Sequence, residues 1–144
     1  IPYNITKKII YKILSLNKPI SFALMVQKEV AIKYLYKDQA STNNALNTYF
    51  ALNGNYKILL DVPSSSFLPS PKVDSAFVIF EANSADFIML KKLEKLYINK
   101  NKTLRNNFNS FDKDVCQKIA NVVDLSLRIH QLSLEQIRKI IELI

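Results

Sequence analysis

One cysteine, one histidine and one glycine occur among 144 residues, and each scarcity excludes a chemistry. A lone Cys116 forms neither an intrachain disulfide nor a cysteine-based zinc site within this chain. It lies in DVCQKIANVV, where Val115, Cys116, Ile119, Val122 and Val123 fall on one helical face, so the spacing predicts core packing rather than reactivity. A lone His130 rules out a His-His metal pair and leaves little room for a Ser-His triad. Gly54, in LNGNY, reads as a helix end or turn. A G-x-G-x-x-G cradle cannot be built from one glycine, so a nucleotide-like cofactor has to be held by residues outside these 144. No apolar run approaches the roughly 18 to 20 residues that span a bilayer. The longest candidate, ISFALMVQ, is strand-sized, and the start lacks the pattern of a secretory leader. The expectation is a cytoplasmic protein without a membrane partner.

Positive charge is plentiful. Twenty lysines and arginines against twelve acids give a net +8 and a pI near 9.5, which suits a polyanionic partner. Seventeen of the cations are lysines, and AT-rich coding alone produces chains rich in Lys, Ile and Asn. Nine cations and five acids lie up to residue 83, eleven and seven beyond it. Each part is therefore +4, and the excess is not a tail. The densest stretch, KKLEKLYINKNKTLR from Lys91 to Arg105, has six cations and one acid; it reads either as a nucleic-acid footprint or as a solvated helix face.

Hydrophobic content of 49% and charged content of 22% describe a globular chain. Apolar periodicity places Ile9, Ile10, Ile13 and Leu14 on one face of a first helix, with Asn4 or Thr6 as its cap and Asn17-Lys18-Pro19 as its end. ISFALMVQ and YKILLDV read as strands. KVDSAFVIFEA is a third, with Val73, Ser75, Phe77 and Ile79 alternating against Asp74, Ala76, Val78 and Phe80. KEVAIKYLY and NNALNTYFALN read as helices separated by the polar loop KDQAST. Beyond Ala82 only helical patterns remain, and the last starts with a capping box, Ser133 to Gln136. Strands mixed with helices and then helices alone predict an α/β part, residues 1–83, and a small all-α domain, residues 84–144. Three strands that begin without earlier βα units, in a chain with no initiator methionine, read as the C-terminal part of something larger.

Five stretches carry a resemblance. IPYNIT at the start is similar to the N-(L/I)-P-Y motif of adenine-N6 methyltransferases. MVQKEVA, DVPSSSFLPSPKVDSAFV, KTLRNNF and LSLEQI, in that order, resemble successive landmarks of the ribosomal RNA adenine dimethyltransferase family. Order and spacing agree over essentially the whole chain.

The resemblance implies the C-terminal half of a Rossmann-like methyltransferase sheet followed by a helical rRNA-contacting domain. It also implies S-adenosylmethionine as methyl donor, bound mainly by residues upstream. The implied reaction is N6,N6-dimethylation of two adjacent adenines near the 3′ end of small-subunit rRNA, with the immature small ribosomal subunit as partner and a monomeric enzyme. These residues alone are expected to be inactive. In the family pattern Pro2 offers a carbonyl to the adenine amine, while Tyr3 and Phe67 hold the two faces of the base. Read without the family, Pro2-Tyr3 is an ordinary approach to a helix and Phe67 a hydrophobic plug. Asn4 reads as a helix cap, and Lys72 and Asp74 as residues that fix the loop. Lys100, Lys102 and Arg105 are the implied phosphate contacts. The family usually places adjacent arginines where this chain has Asn99, Lys100 and Asn101, and a glycine before the helix read at Asn44 to Asn53. Lysine in place of arginine gives up bidentate phosphate geometry, and the missing glycine leaves the loop's shape open. The alternatives are a sister enzyme acting on large-subunit rRNA in macrolide resistance and a non-catalytic rRNA-binding assembly factor.

Overall fold

The computed structural model describes residues 3–144, with side chains from residue 5 onward. Cα packing groups the residues up to Leu35 with Asn53–Phe87, and Tyr36–Leu52 with Ile88–Ile144. One division falls after Phe87. Residues 36–52, however, group with the later helices rather than with the sheet.

The first unit contains α1 (Tyr3–Ser15), β1 (Phe22–Gln27), α2 (Lys28–Lys33), β2 (Gly54–Val62) and β3 (Ser75–Ala82). The strands form one antiparallel sheet in the order β1-β3-β2. β3 is central because its alternation is the cleanest: Ala76, Val78 and Phe80 are at most 2% exposed, whereas Phe77 faces solvent. Phe22 stands opposite Phe80 in the register, their ring centroids 5.6 Å apart. On α1 the buried stripe is Thr6, Ile10 and Leu14, one residue every four. Asn4 and Thr6 both lie inside this helix, so neither occupies the capping position expected of it. Its end matches expectation: Asn17 takes a left-handed φ of 53°, and its side chain accepts the Phe87 amide at 2.9 Å.

Gly54 follows α3 (Ala45–Asn53) directly and opens β2. A Cβ there would run into the Glu81 carbonyl oxygen and the Phe80 ring, so glycine is required by a close approach to β3 rather than by a turn.

The second unit takes residues 45–52 of α3 with nearly all of α4 (Phe87–Tyr97), then α5 (Leu104–Asn107), α6 (Lys113–Ala120) and α7 (Leu134–Leu143). α3 is apolar almost all round and is buried accordingly. Its Thr48 hydroxyl meets the Tyr97 hydroxyl of α4 at 2.7 Å. The loop before it is shaped by Asn43, whose buried amide spans Lys37, donating to its carbonyl at 2.6 Å and accepting its N–H at 3.2 Å. α6 stops at Ala120, so the expected face is only partly realised. Ile119 and Val123 are buried, Cys116 is half-buried with its thiol donating to the Phe108 carbonyl, and Val122 is exposed. No helix of the described residues is long and apolar enough to cross a membrane.

Candidate nucleic-acid interface

Phe67 sits in the connection between β2 and β3, residues 63–74. Pro63 starts a single 3-10 turn, Ser64–Ser66, and Phe67 follows it in extended conformation with its N–H donating to the Ser64 carbonyl at 3.2 Å. Its own carbonyl accepts the Ser70 hydroxyl at 3.2 Å, and the next peptide bond, Leu68-Pro69, is cis. Asp74 ties the two ends together. Its carboxylate accepts the Ser64 N–H at 2.9 Å and its carbonyl accepts the Lys28 N–H at 2.9 Å, so the loop is fastened to itself and to the start of α2. Lys72 is exposed and makes no hydrogen bond or ion pair among the described residues. The ring of Phe67 is half-buried, and Leu68 beside it is fully exposed. Tyr3 opens α1 in the same unit, with its side chain outside the described ones; Pro2 lies outside the described residues.

The basic stretch of the second unit divides by what each cation already does. Lys91 pairs with Glu94 at 3.9 Å. Lys92 donates to the Ile141 carbonyl of α7 and Lys100 to the Ser41 carbonyl, each at 3.2 Å. Lys95, Lys102 and Arg105 keep their side chains in solvent. Arg105 lies near Asp124, whose carboxyl titrates below its usual range because the Ser126 N–H and hydroxyl donate to it, with a smaller contribution from the Arg105 charge. The short α5 is held at its start. The Thr103 hydroxyl caps it by accepting the Asn106 N–H, and the N–H groups of Leu104 and Arg105 donate to the carbonyls of Leu127 and Leu125.

That bracing brings in a residue the sequence reading did not single out. Arg128 pairs with Thr103 across an isolated bridge, and its Nε donates to the Asn101 carbonyl at 2.8 Å. An exposed guanidinium thus stands on the loop that has Asn99, Lys100 and Asn101 in sequence. No local density marks Arg128 in SLRIHQ; only the folded chain places it here.

The family model described as Ribosomal RNA adenine dimethylase matches residues 1–144. The chain belongs to this family. A ribosomal RNA small subunit methyltransferase A from Thermotoga maritima is 35% identical over 145 residues, 99% of this chain and 50% of that protein. Its counterpart from Malacoplasma penetrans is 35% identical over 127 residues, 84% of this chain and 47% of that protein. The chain spans about half the length of the curated relatives it matches. Among solved structures, a dimethyladenosine transferase from Plasmodium falciparum shares the fold with a TM-score of 0.73 at 23% identity, over 97% of this chain and 62% of that one. A 23S rRNA methyltransferase, ErmE, does so with a TM-score of 0.60 at 17% identity, over 99% and 62%.

The α/β fold of this dimethylase-family chain is accordingly that of the C-terminal part of such methyltransferases, a small antiparallel sheet with its helices followed by further helices. The one glycine of this family member, Gly54, is taken up by the close packing of β2 against β3.

Proposed function

We propose that the protein dimethylates N6 of two adjacent adenines near the 3′ end of small-subunit rRNA, using S-adenosylmethionine bound mainly by residues other than those described. The observation that carries this reading is the family match over residues 1–144, with relatives named as small-subunit methyltransferases. The chemistry asks for what the motifs offer. The adenine amine is a poor nucleophile while its lone pair is delocalised into the ring. Carbonyl acceptors for its hydrogens, Pro2 among them, localise that pair, and aromatic faces hold the base out of its stack. Tyr3 and Phe67 are the proposed faces. No side chain has to titrate, since the proton can leave after the methyl has arrived. The hydrogen bonds that fasten the 63–74 loop at Asp74 support the assignment, because a clamp has to hold its ring in place before the base arrives.

In this reading the first part of the chain belongs to the methyltransferase domain, and the helical part contacts rRNA through Lys102 and Arg105. Lys100 is the weaker candidate of the three, as its ammonium is already bonded to Ser41. The proposed enzyme acts as a monomer in the cytoplasm, on immature small subunits.

The test is methyl transfer from labelled S-adenosylmethionine to immature small ribosomal subunits by the full-length protein, with the modified base mapped. Dimethyladenosine at the adjacent pair is the expected product. Modification of large-subunit RNA instead would move the protein to the sister group, and subunit binding without transfer would make it an assembly factor.

A further inference from the structure

Beside the basic connection between α4 and α5 the second unit has a cavity of about 380 Å³, lined by Lys95, Ile98, Asn99, Asn107, Ser110 and Phe111. Its size lies within the range of about 300–1,000 Å³ usual for small-ligand sites. We propose that it receives one unpaired nucleotide of the rRNA, at a place separate from the base-holding loop. The proposal rests on the rRNA reading above and specifies what part of an RNA this face recognises.

The lining has what a nucleotide needs and little that the fold needs. Asn107 is committed to the structure, its amide donating to the Leu96 carbonyl at 2.9 Å. Lys95, Asn99 and Ser110 make no side-chain hydrogen bond or ion pair among the described residues, so an ammonium, an amide and a hydroxyl stand unused around one space. An amide carries both a donor and acceptors and can pair with a base edge; an ammonium suits the adjoining phosphate. Two apolar walls complete it. Ile98 is 78% exposed, a large apolar side chain with no role in the core. Phe111 is fixed by an edge contact with Phe108, ring centroids 5.2 Å apart. A face that met only duplex phosphates would gain nothing from these two side chains, whereas a base stacks on them. Charge agrees: no acid lines the cavity, and Lys102 lies exposed on the connection that borders it, with Arg105 exposed on α5.

The test compares the full-length protein on three fluorescent RNA hairpins of one stem sequence: fully paired, with one bulged nucleotide, and with an abasic residue at the bulge. The expected result is binding of the bulged hairpin at least about fivefold tighter than either control. Asn99→Ala, and Ser110→Leu, which fills the cavity from an exposed position, should erase that preference while leaving the paired hairpin's affinity and salt dependence unchanged. Equal affinity for bulged and abasic hairpins overturns the cavity assignment and leaves the basic footprint standing. It would also turn this face toward a protein partner. Variants that weaken all three hairpins equally overturn the cavity assignment as well. Failure of the wild-type protein to bind any hairpin overturns both this proposal and the rRNA reading of the helical unit.

Discussion

Phe67 is half-buried in a loop whose ends are pinned by Asp74, so its truncation removes a ring without releasing the backbone that presents it. Stacking of a base on an aromatic ring contributes about 1–3 kcal/mol. Phe67→Ala should therefore lower methyl transfer by about 5- to 160-fold, with S-adenosylmethionine affinity changed less than about twofold, as followed by calorimetry beside a radiolabel assay. Parallel loss of both would show that Phe67 supports the fold rather than the base. Tyr97 makes a prediction of a different kind. Burial pushes its hydroxyl up to about 12, the Thr48 hydrogen bond opposing that only in part. In the unfolded chain it titrates near 10, so above that pH the unfolded state sheds a proton that the folded state keeps. Stability from this group is complete below pH 10 and is lost as the pH rises from about 10 to 12, on the order of 2–3 kcal/mol across the interval. Denaturant midpoints measured through that interval should fall more steeply in the wild-type protein than in Tyr97→Phe. Tyr56, also raised by burial, adds to the same alkaline loss in both proteins.

Among the elements, those that advertise themselves through local pattern were legible in advance. β3 alternates because one of its faces is core, and α7 carries both halves of its capping box, the Ser133 hydroxyl accepting the Gln136 N–H at 3.2 Å and the Gln136 side chain accepting the Ser133 N–H at 2.9 Å. Replacing Ser133 by Ala should cost about 1 kcal/mol, read as a lower midpoint in thermal unfolding with the fold retained. What the sequence hid depends on distant partners. KTLRNNFNSF reads as helix-like, yet α5 is one turn, and the first N–H groups of that turn, those of Leu104 and Arg105, are taken by the distant carbonyls of Leu127 and Leu125. β2 shifts register between Ile58 and Leu60, and Leu59 and Leu60 are both exposed, a break no apolar count shows. Residues 36–52 join the later helices through bonds such as Thr48 to Tyr97, which span 49 positions. Of the proposed site, Phe67 and the basic residues could be picked out by resemblance. Of the two residues read as fixing the Phe67 loop, Asp74 does so through the Ser64 N–H, while Lys72 makes no bond among the described residues; the bracing by Arg128 could not be read, since a single arginine carries no periodicity.

Across the whole chain, +8 is the quantity a polyanion feels at long range, but binding energy at close range comes from cations free to release counterions. Of the six in Lys91 to Arg105, three are bonded internally to Glu94, Ile141 and Ser41. Lys95, Lys102 and Arg105 are left in solvent, and Lys102 with Arg105 is the pair assigned above to rRNA phosphates whose removal should register. Deleting one cation that neutralises a phosphate reduces the slope of log affinity against log salt by about 1. Lys102→Ala with Arg105→Ala should thus flatten that slope by about 2 for binding of small-subunit rRNA, titrated by filter binding between about 50 and 300 mM salt. The Lys91→Ala variant, which removes a charge already paired, should shift it by much less than 1. If the double variant leaves the slope unchanged, the footprint lies elsewhere on the molecule, and the evenly divided charge of the two parts would have to act as a diffuse field that steers the approach of RNA without touching it.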